Sequence, residues 1–176
     1  MPPKRKHESS VLIVGRFQPF HKGHLQIIKI IKQQCDQVTI GIGSAQYSHT
    51  LENPFTAGER HLMISESLRS EGMDRFFIVP VEDINRYSAW VTHVVSLVPP
   101  FSKVYSNNAL TKRLFTEAGY EVVAAPMYNR ELYSGTEVRA RMLNDGDWQS
   151  LVPEAVIQVM EEIDGLNRIR DLAGKD

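Results

Sequence analysis

Two histidines and an arginine lie close together near the start of the chain, in the sequence GRFQPFHKGH that begins at Gly15. Imidazole and guanidinium groups donate hydrogen bonds to phosphate oxygens, and Arg16, His21 and His24 would supply such groups from one segment. Gly15 and Gly23 permit tight turns and a close approach of the backbone to a ligand. These residue types therefore indicate a phosphate-binding segment.

The segment stands between a predicted strand and a predicted helix. The run Val11–Val14 is short and apolar, which is typical of a strand buried on both faces. His24, Ile27, Ile28 and Ile31 then follow the spacing of one helix face. The start of that helix would offer unpaired N–H groups and a positive dipole end. A single histidine there more often caps a helix, but two beside an arginine favour a phosphate-binding loop.

A second candidate phosphate site lies near the other end of the chain. Ser134 or Thr136 could cap a helix, and Gly135 would keep the backbone accessible. Arg139 would stand about one turn into that helix, on the side of Thr136, where its planar fork suits bidentate phosphate binding. The alternative is a capped surface helix with an exposed arginine. Arg141 is predicted to point away from Arg139 and to be solvated.

Strands and helices alternate along the chain, which predicts an α/β fold with a single-domain, Rossmann-like, doubly wound parallel sheet of about five strands and C-terminal helices. Ligands bind such sheets beyond the carboxyl ends of the strands, where the strand order reverses. Further strands are predicted at residues 38–43, 76–81, 103–106 and 121–125, and helices are predicted after a capping box of Thr56 and Glu59, after a cap at Ser88, and from about Ala109, Ser134 and Pro153. The polar segments follow the strands, at residues 15–24, 44–53, 82–88, 106–108 and 126–139, and this agreement predicts one shared active site.

Composition limits the partners that the chain can have. A length of 176 residues suits one domain, predicted over residues 11–176 after a disordered basic tail at residues 1–10. A net charge of −1 gives no general attraction to nucleic acid or to an acidic membrane surface. Cys35 is the single cysteine, so an intrachain disulfide is excluded and a cytoplasmic location is expected. No apolar run approaches the roughly 18 residues that a membrane helix needs.

Several motifs together resemble one enzyme family. The segments GRFQPFHKGH and SGTEVR resemble the signatures of the HxGH nucleotidyltransferase superfamily, and so imply its fold. Four further segments resemble the archaeal-type nicotinamide mononucleotide (NMN) adenylyltransferases in particular. They are GSAQ followed by Ser48 and His49, NPFTAGER, YSGTEVR and DGDW. The resemblance covers the chain from about Val11 to Gly165.

The resemblance implies a reaction of NAD biosynthesis, in which ATP and NMN give NAD and pyrophosphate. The NMN phosphate would attack the α-phosphorus of ATP in line, and this nucleophile is already an anion, so no general base is needed. Catalysis would rest on positioning and on neutralising the charge that develops on the phosphates. Magnesium (Mg²⁺) would arrive with ATP and would need no carboxylate cage, so no metal ligand is predicted in the protein.

The resemblance also assigns residues. It implies that the catalytic groups are His21, His24, Arg16 and Arg139, and that the ATP site adds Gly15, Phe17, Gly23, Ser134, Gly135 and Thr136. The NMN site would comprise Ser44, Asp83, Tyr87 and Trp90. Trp90 would stack on the pyridinium ring with about 0.5–2 kcal/mol of cation–π energy, although core packing is the alternative. Arg60 could either reach the site or form a salt bridge on a helix surface.

Some alternatives remain open at this stage. Tyr87 and Glu52 depart from the family pattern, since some members carry Asn and Arg there. Another adenylyltransferase of the same fold, with pantetheine phosphate or flavin mononucleotide as the acceptor, is the second candidate. A nucleotide sensor without catalysis, or a nucleic-acid-binding module, comes from a different class. The resemblance also implies a homo-oligomer, often a hexamer, and the sequence does not distinguish NMN from its acid analogue, nicotinate mononucleotide.

Overall fold

A parallel sheet of five strands forms the centre of the computed structural model, which describes residues 9–174. The strands are β1 (Ser10–Gly15), β2 (Gln37–Ile42), β3 (Phe76–Pro80), β4 (Lys103–Tyr105) and β5 (Glu121–Val123). The helices are α1 (Lys22–Lys32), α2 (Ala57–Ser70), α3 (Tyr87–Leu97), α4 (Ala109–Glu117), α5 (Gly135–Leu143), α6 (Glu154–Glu162) and α7 (Gly165–Leu172). The predicted α/β fold with C-terminal helices is confirmed.

The order of the strands is β3-β2-β1-β4-β5, so it reverses beside β1. Val11 pairs with Val38 of β2 on one side and with Lys103 of β4 on the other. Val11 and Leu12 are both buried, but they belong to separate hydrophobic clusters, because neighbouring side chains of a strand point to opposite faces. The chain leaves β1 and β4 in different directions, and the crevice between them is where such sheets bind ligands.

Most helix starts agree with the sequence predictions, and one does not. Thr56 and Glu59 form the predicted capping box at the start of α2. Helix α3 begins at Tyr87, with Arg86 rather than Ser88 as its N-cap residue. The Arg86 side chain makes no capping hydrogen bond, so packing of Val91 and Val94 in the core fixes this start instead.

Other boundaries shift by a residue or two. Helix α1 includes His24 on its first turn, as the helix spacing predicts, whereas Pro153 is the N-cap residue of α6 rather than its first residue. Strand β5 is two residues shorter than predicted, and a 3₁₀ turn at Gln149–Leu151 was not foreseen. The predicted basic tail falls mainly in residues 1–8, which lie outside the described residues. None of the helices described is long and apolar enough to span a bilayer.

The Arg60 side chain connects the segments that follow β1 and β2. It is 0% exposed, and its guanidinium donates hydrogen bonds to the carbonyl oxygens of Arg16 at 2.8 Å and Gly43 at 2.9 Å. Further bonds reach the carbonyls of Ser44 at 3.2 Å and Tyr47 at 3.4 Å. Arg60 therefore does not form the surface salt bridge that one sequence interpretation predicted. It points instead to the backbone of residues that line the candidate site, and it holds that backbone from the buried side.

Burial of the Arg60 guanidinium disfavours its charged form and so lowers its pKa. Desolvation, with a smaller contribution from the nearby charge of Arg16, lowers it to about 10, so the side chain stays protonated at neutral pH. Its hydrogen-bond partners are backbone carbonyl groups. One guanidinium therefore holds several turns of the chain in place at once. The ends of β1 and β2 are thereby held in one arrangement.

We expect Arg60→Lys to destabilise the protein, because one ammonium group cannot reach the carbonyls that the guanidinium fork serves. Unsatisfied buried carbonyls should lower the free energy of unfolding by about 3 kcal/mol, as measured by urea denaturation. Arg69→Lys, at the exposed end of the same helix, is the matched control and should change it by less than about 0.5 kcal/mol. A loss at position 60 no larger than that of the control would contradict this role.

Candidate active site

The two predicted phosphate-binding turns meet at the carboxyl end of β1. Arg139 of α5 donates a hydrogen bond from Nη1 to the carbonyl oxygen of Gln18 at 2.7 Å. The turns also share a cavity of about 250 Å³, here called the histidine cavity. Its lining includes His21, Gly23, His24, Ile27, Asn107, Pro126, Met127, Tyr128, Arg130, Tyr133, Ser134 and Gly135. Segments more than 100 residues apart in sequence are therefore joined in one site.

Two glycines allow this close approach. A Cβ atom at Gly135 would lie 3.0 Å from Nη1 of Arg139 and 3.1 Å from the carbonyl oxygen of Gln18. A Cβ atom at Gly23 would lie 2.7 Å from the Cβ of Tyr133. Any larger residue would force the turns apart, so these glycines are needed for contact between the segments.

Gln18 fixes the first turn, although the sequence analysis did not single it out. Its buried side chain donates to the carbonyl of Phe55 at 2.9 Å and accepts from the Phe55 N–H at 3.0 Å. Phe17 is also buried, with its ring edge-on to that of His24 at 4.8 Å between ring centroids. The buried Phe17 side chain thus packs against the ring of His24. Only the backbone of Phe17 is left for contact with a nucleotide.

His21 and His24 cap the start of α1 reciprocally. The N–H of His24 donates to Nδ1 of His21 at 3.3 Å, and the N–H of His21 donates to Nδ1 of His24 at 3.2 Å. The two rings stack with centroids 3.5 Å apart. This is the geometry of a capping box with imidazoles in place of the usual side chains, and it fixes both rings.

The reciprocal bonds set the protonation state of both rings. Because each Nδ1 accepts a hydrogen bond, the proton of each neutral ring is on Nε2. Burial lowers the pKa of His21 to about 4, and burial together with the charge of His21 holds the pKa of His24 well below its usual range. At neutral pH the cavity therefore presents two uncharged imidazoles, each with one N–H that the helix does not use.

The second turn forms the start of α5 as predicted. Ser134 is the N-cap residue, and its hydroxyl accepts a hydrogen bond from the N–H of Glu137 at 3.1 Å. Thr136 is exposed in the first turn. Arg141 is not the solvated residue that was predicted, because it pairs with Glu137 at 2.8 Å and donates to the carbonyl of Asp147 at 3.0 Å. The spacing of four residues allows this pair on the helix surface.

A second cavity, of about 470 Å³, is lined in part by Gly15 and Arg16 and is here called the tryptophan cavity. It brings together Ser44, Asp83, Tyr87 and Trp90, the four residues predicted for NMN. The sequence analysis missed several other lining residues, namely Val14, Gly43, Ile84, Asn85, Arg86, Asn108, Leu110, Thr111 and Leu114. Several of these residues follow β3 and β4. Their positions directly after predicted strands were the sequence signal that could have identified them as lining residues.

Hydrogen bonds and packing fix the walls of the tryptophan cavity. The Ser44 hydroxyl donates to the Asp83 carboxylate at 2.6 Å, and the Gln46 side chain bonds both the N–H and the carbonyl of Asp83, at 2.9 and 2.8 Å. Trp90 packs edge-to-face on Phe115, with 5.7 Å between centroids, so core packing and exposure to the cavity coexist in this residue. Tyr87, at 65% exposed, stands at the rim.

Positive charge is concentrated around Arg16, which lines the tryptophan cavity. Burial and then the nearby Arg16 lower the pKa of Arg139, while the carboxylate of Glu52 acts in the opposite direction. Arg16 has the same secondary effect on the pKa of Arg60. Three guanidinium groups are thus close together in a chain whose net charge is −1, which makes a local attraction for phosphate. Within residues 9–174, no group of three or more His, Cys, Asp or Glu side chains is placed to hold a metal ion.

The fold and the site define the class of this protein as a Rossmann-like nucleotidyltransferase. A sequence profile of the cytidylyltransferase-like family matches residues 12–141. The nicotinamide-nucleotide adenylyltransferase of Picrophilus torridus is 56% identical over 164 residues, which cover 93% of this chain and 97% of that protein. The enzyme of the same name from Archaeoglobus fulgidus is 54% identical over 168 residues, with 93% and 97% covered. The chain belongs to the nicotinamide-nucleotide adenylyltransferases of the cytidylyltransferase-like family.

A solved structure agrees with this fold. The bifunctional NMN adenylyltransferase/ADP ribose pyrophosphatase from Francisella tularensis, complexed with AMP and a Mn ion, superposes with a TM-score of 0.72 at 24% identity. The superposition covers 95% of this chain but 52% of that protein, so the chain spans about half the length of this bifunctional relative. At this identity the comparison supports the fold alone.

We expect Gly135→Ala to separate the two turns and to lower kcat/KM for ATP by about tenfold or more, because small displacements of positioning groups are costly. The measurement is steady-state turnover with ATP varied. Gly58→Ala is the control, since the nearest atom to its new Cβ would be Oγ1 of Thr56 at 3.9 Å. Equal activity of the two variants would show that the approach of Gly135 to Gln18 is not required.

We expect the protonation of His21 to limit stability in acid. Between pH 6.5 and about 4 the unfolded chain binds a proton at this residue that the folded chain does not, so stability falls as the pH falls through this window. His21→Asn keeps a good cap and removes the titration. The difference in unfolding free energy, wild type minus variant, should fall by up to about 3 kcal/mol from pH 7 to pH 4 and stay constant above pH 7. A difference that is constant over the whole range would contradict the buried neutral state.

Proposed function

We propose that this chain transfers the adenylyl group of ATP to the phosphate of NMN, giving NAD and pyrophosphate. Family membership at 56% identity supports this reaction. The observation that carries the proposal is the shared cavity in which the histidine pair of α1 lies beside the Ser134–Gly135 turn of α5. This arrangement provides donors for a triphosphate, next to a second cavity of suitable size for another nucleotide.

The histidine cavity would hold ATP. The N-termini of α1 and α5 both open toward it, and each has free N–H groups and a positive dipole end. The Nε2–H groups of His21 and His24 add donors without adding charge. Tyr128 and Tyr133, whose rings stack with centroids 5.5 Å apart, provide an aromatic wall for the adenine.

The tryptophan cavity would hold NMN, with its ring against Trp90 and its phosphate toward Arg16. A pyridinium over an indole gains cation–π attraction, and the contact of Trp90 with Phe115 keeps the indole in place. Asp83 would accept hydrogen bonds from the substrate, since Ser44 and Gln46 already fix its position. Tyr87 would close the outer rim.

The chemistry follows from where the two phosphates would meet. An oxygen of the NMN phosphate forms a bond to the α-phosphorus of ATP, the bond from that phosphorus to the bridging oxygen breaks, and pyrophosphate leaves with the electron pair. The nucleophile is an anion already, so neutral histidines suit the reaction: they donate hydrogen bonds to oxygens on which charge develops, and they transfer no proton. Arg16 and Arg139 would neutralise charge on the phosphates.

We propose that the divalent ion is Mg²⁺ and that it enters with the triphosphate. The described residues provide no cluster of carboxylates for it, and phosphate oxygens with water are ligands that Mg²⁺ favours. The Francisella tularensis structure contains a Mn ion together with AMP. The homo-oligomeric state, the cytoplasmic location and the domain limits stay predictions from the sequence.

Turnover of purified protein with ATP, Mg²⁺ and one acceptor at a time tests the proposal. NMN should give NAD and pyrophosphate in equal amounts, whereas pantetheine phosphate and flavin mononucleotide should give neither. Product from one of those acceptors alone would assign the second candidate enzyme instead. ATP binding by calorimetry without turnover of any acceptor would indicate a sensor.

We expect His24→Gln to separate catalysis from folding. Glutamine at this position can still bond the N-cap N–H, but it lacks the imidazole Nε2–H of a residue that lines the cavity. We expect kcat to fall about 100- to 1000-fold, while the Kd of ATP changes far less. Equal losses in kcat and in ATP affinity would make His24 a ground-state binding residue.

A further inference from the structure

Helix α7 lies beyond residues 12–141, which the family profile matches, yet it is joined to the support of the candidate active site. Arg168 of this helix forms a two-bond ion pair with Glu59 of α2, from Nη1 to Oε2 at 2.7 Å and from Nη2 to Oε1 at 2.8 Å. The two side chains are only 19% and 17% exposed. A planar fork on a carboxylate that is mostly shielded from water fixes both partners in position. An exposed ion pair would hold them far less firmly.

The ion pair holds segment 54–56, the part of the chain that leads into α2. Arg168 also donates a hydrogen bond to the carbonyl oxygen of the first residue of this segment at 3.2 Å. Glu59 accepts a hydrogen bond from the N–H of the last residue at 2.9 Å. The middle residue, Phe55, exchanges two backbone hydrogen bonds with the side chain of Gln18, at 2.9 and 3.0 Å. The ion pair therefore holds the segment at both ends, and the segment holds Gln18 from its middle.

Helix α7 also contacts the helix that carries Arg139. It packs directly against α5, and Arg170 forms an ion pair with Asp145 just beyond the end of α5. Arg139 in turn donates to the Gln18 carbonyl at 2.7 Å. Helix α7 thus supports both partners of this hydrogen bond, one through α5 and the other through segment 54–56. The contacts form a closed circuit, so a change at α7 is transmitted to the bond between the two phosphate-binding turns.

We propose that Arg168 is a positioning residue for adenylyl transfer, which holds the Gln18 carbonyl, and through it the guanidinium of Arg139, where the reaction needs them. This inference rests on the proposed function, which gives Arg139 its role at the phosphates. Arg168 lines neither of the two cavities, so its effect on turnover passes through other residues. The histidine pair keeps its own capping bonds when the ion pair is lost. The rate of reaction should therefore fall more than the affinity for ATP.

The test is kcat with saturating ATP and NMN, expressed per ATP-binding site counted by calorimetry, so that unfolded protein does not contribute. Arg168→Met should lower this kcat about tenfold and change the Kd of ATP less than about threefold, because a small displacement of a positioning group costs rate. Arg168→Lys keeps the charge without the fork and should lower kcat only about threefold. This milder variant carries the comparison where Arg168→Met does not fold. Arg69→Met removes a cation from an exposed ion pair on α2 and should leave kcat unchanged.

The partner of Arg168 provides an independent variant. Glu59→Gln can keep the hydrogen bond to the N–H of Thr56 at the start of α2, but it removes the charge that Arg168 binds. It should reproduce the loss of kcat caused by Arg168→Met, and the double variant should be no slower than either single variant. Losses that add in the double variant would show that the two residues do not act as a pair.

A cycle with Arg139 separates positioning from stability. In an Arg139→Met background, either Arg168 variant should change kcat by less than about twofold, whereas it should still lower the urea midpoint of unfolding. An unchanged kcat per site in the Arg168 variants, or a loss of the same size in both backgrounds, would overturn the inference and leave the proposed function standing. A wild-type protein that does not turn over NMN with ATP would overturn the proposed function itself.

Discussion

The guanidinium of Arg60 is the point on which the geometry of the site depends. It is fully buried, and it is stabilised by backbone carbonyls that come from the ends of two strands and from the loop after β2. A buried cation with incomplete hydrogen bonding is costly, so those carbonyls must stay where they are while the chain is folded. Gln18 extends the same network through Phe55, and Arg139 joins it through the Gln18 carbonyl. Three segments distant in sequence thus behave as one rigid support.

The histidine pair shows how local structure and chemistry are linked. Nδ1 of each ring is used to satisfy a backbone N–H at the start of α1, and the same bonds determine that the Nε2 atoms carry the protons. Burial removes the tendency of the rings to become charged near neutral pH. Folding therefore orients both donors before substrate binds, and little reorganisation is left for the reaction step. Helix capping is a property of these two side chains, and under the proposed function the same side chains would stabilise the transition state.

The sequence predicted those features that have a local signature. The glycine-bounded histidines, the Ser134–Arg139 turn and the alternation of strands and helices are readable without tertiary information. The role of Arg60 was not predictable from the sequence, because a charged residue in a helix normally indicates a surface position. Its partners are backbone carbonyls that only the fold brings near. Gln18 was missed for the same reason, because its partners are backbone groups of Phe55, whereas Arg86 was missed for a local reason. Arg86 starts a helix without a side-chain cap, so the serine two residues later gave a stronger but wrong signal.

The reversal of strand order beside β1 creates room for two neighbouring cavities, one for each of two reacting nucleotides. Asn107 lines the histidine cavity and Asn108 lines the tryptophan cavity, so the boundary between them falls within one loop after β4. On the other side, Arg16 and His21 belong to the single loop after β1. Two substrates that enter from opposite sides of this boundary would bring their phosphates together there and keep their bases apart. Positive charge near this boundary would be needed most, because both reacting groups are anions. Arg16 lines the tryptophan cavity, and Arg139 is close enough for the two charges to interact. The topology of the sheet thus supplies the arrangement, and under the proposed function the arginines would make the approach of two anions possible.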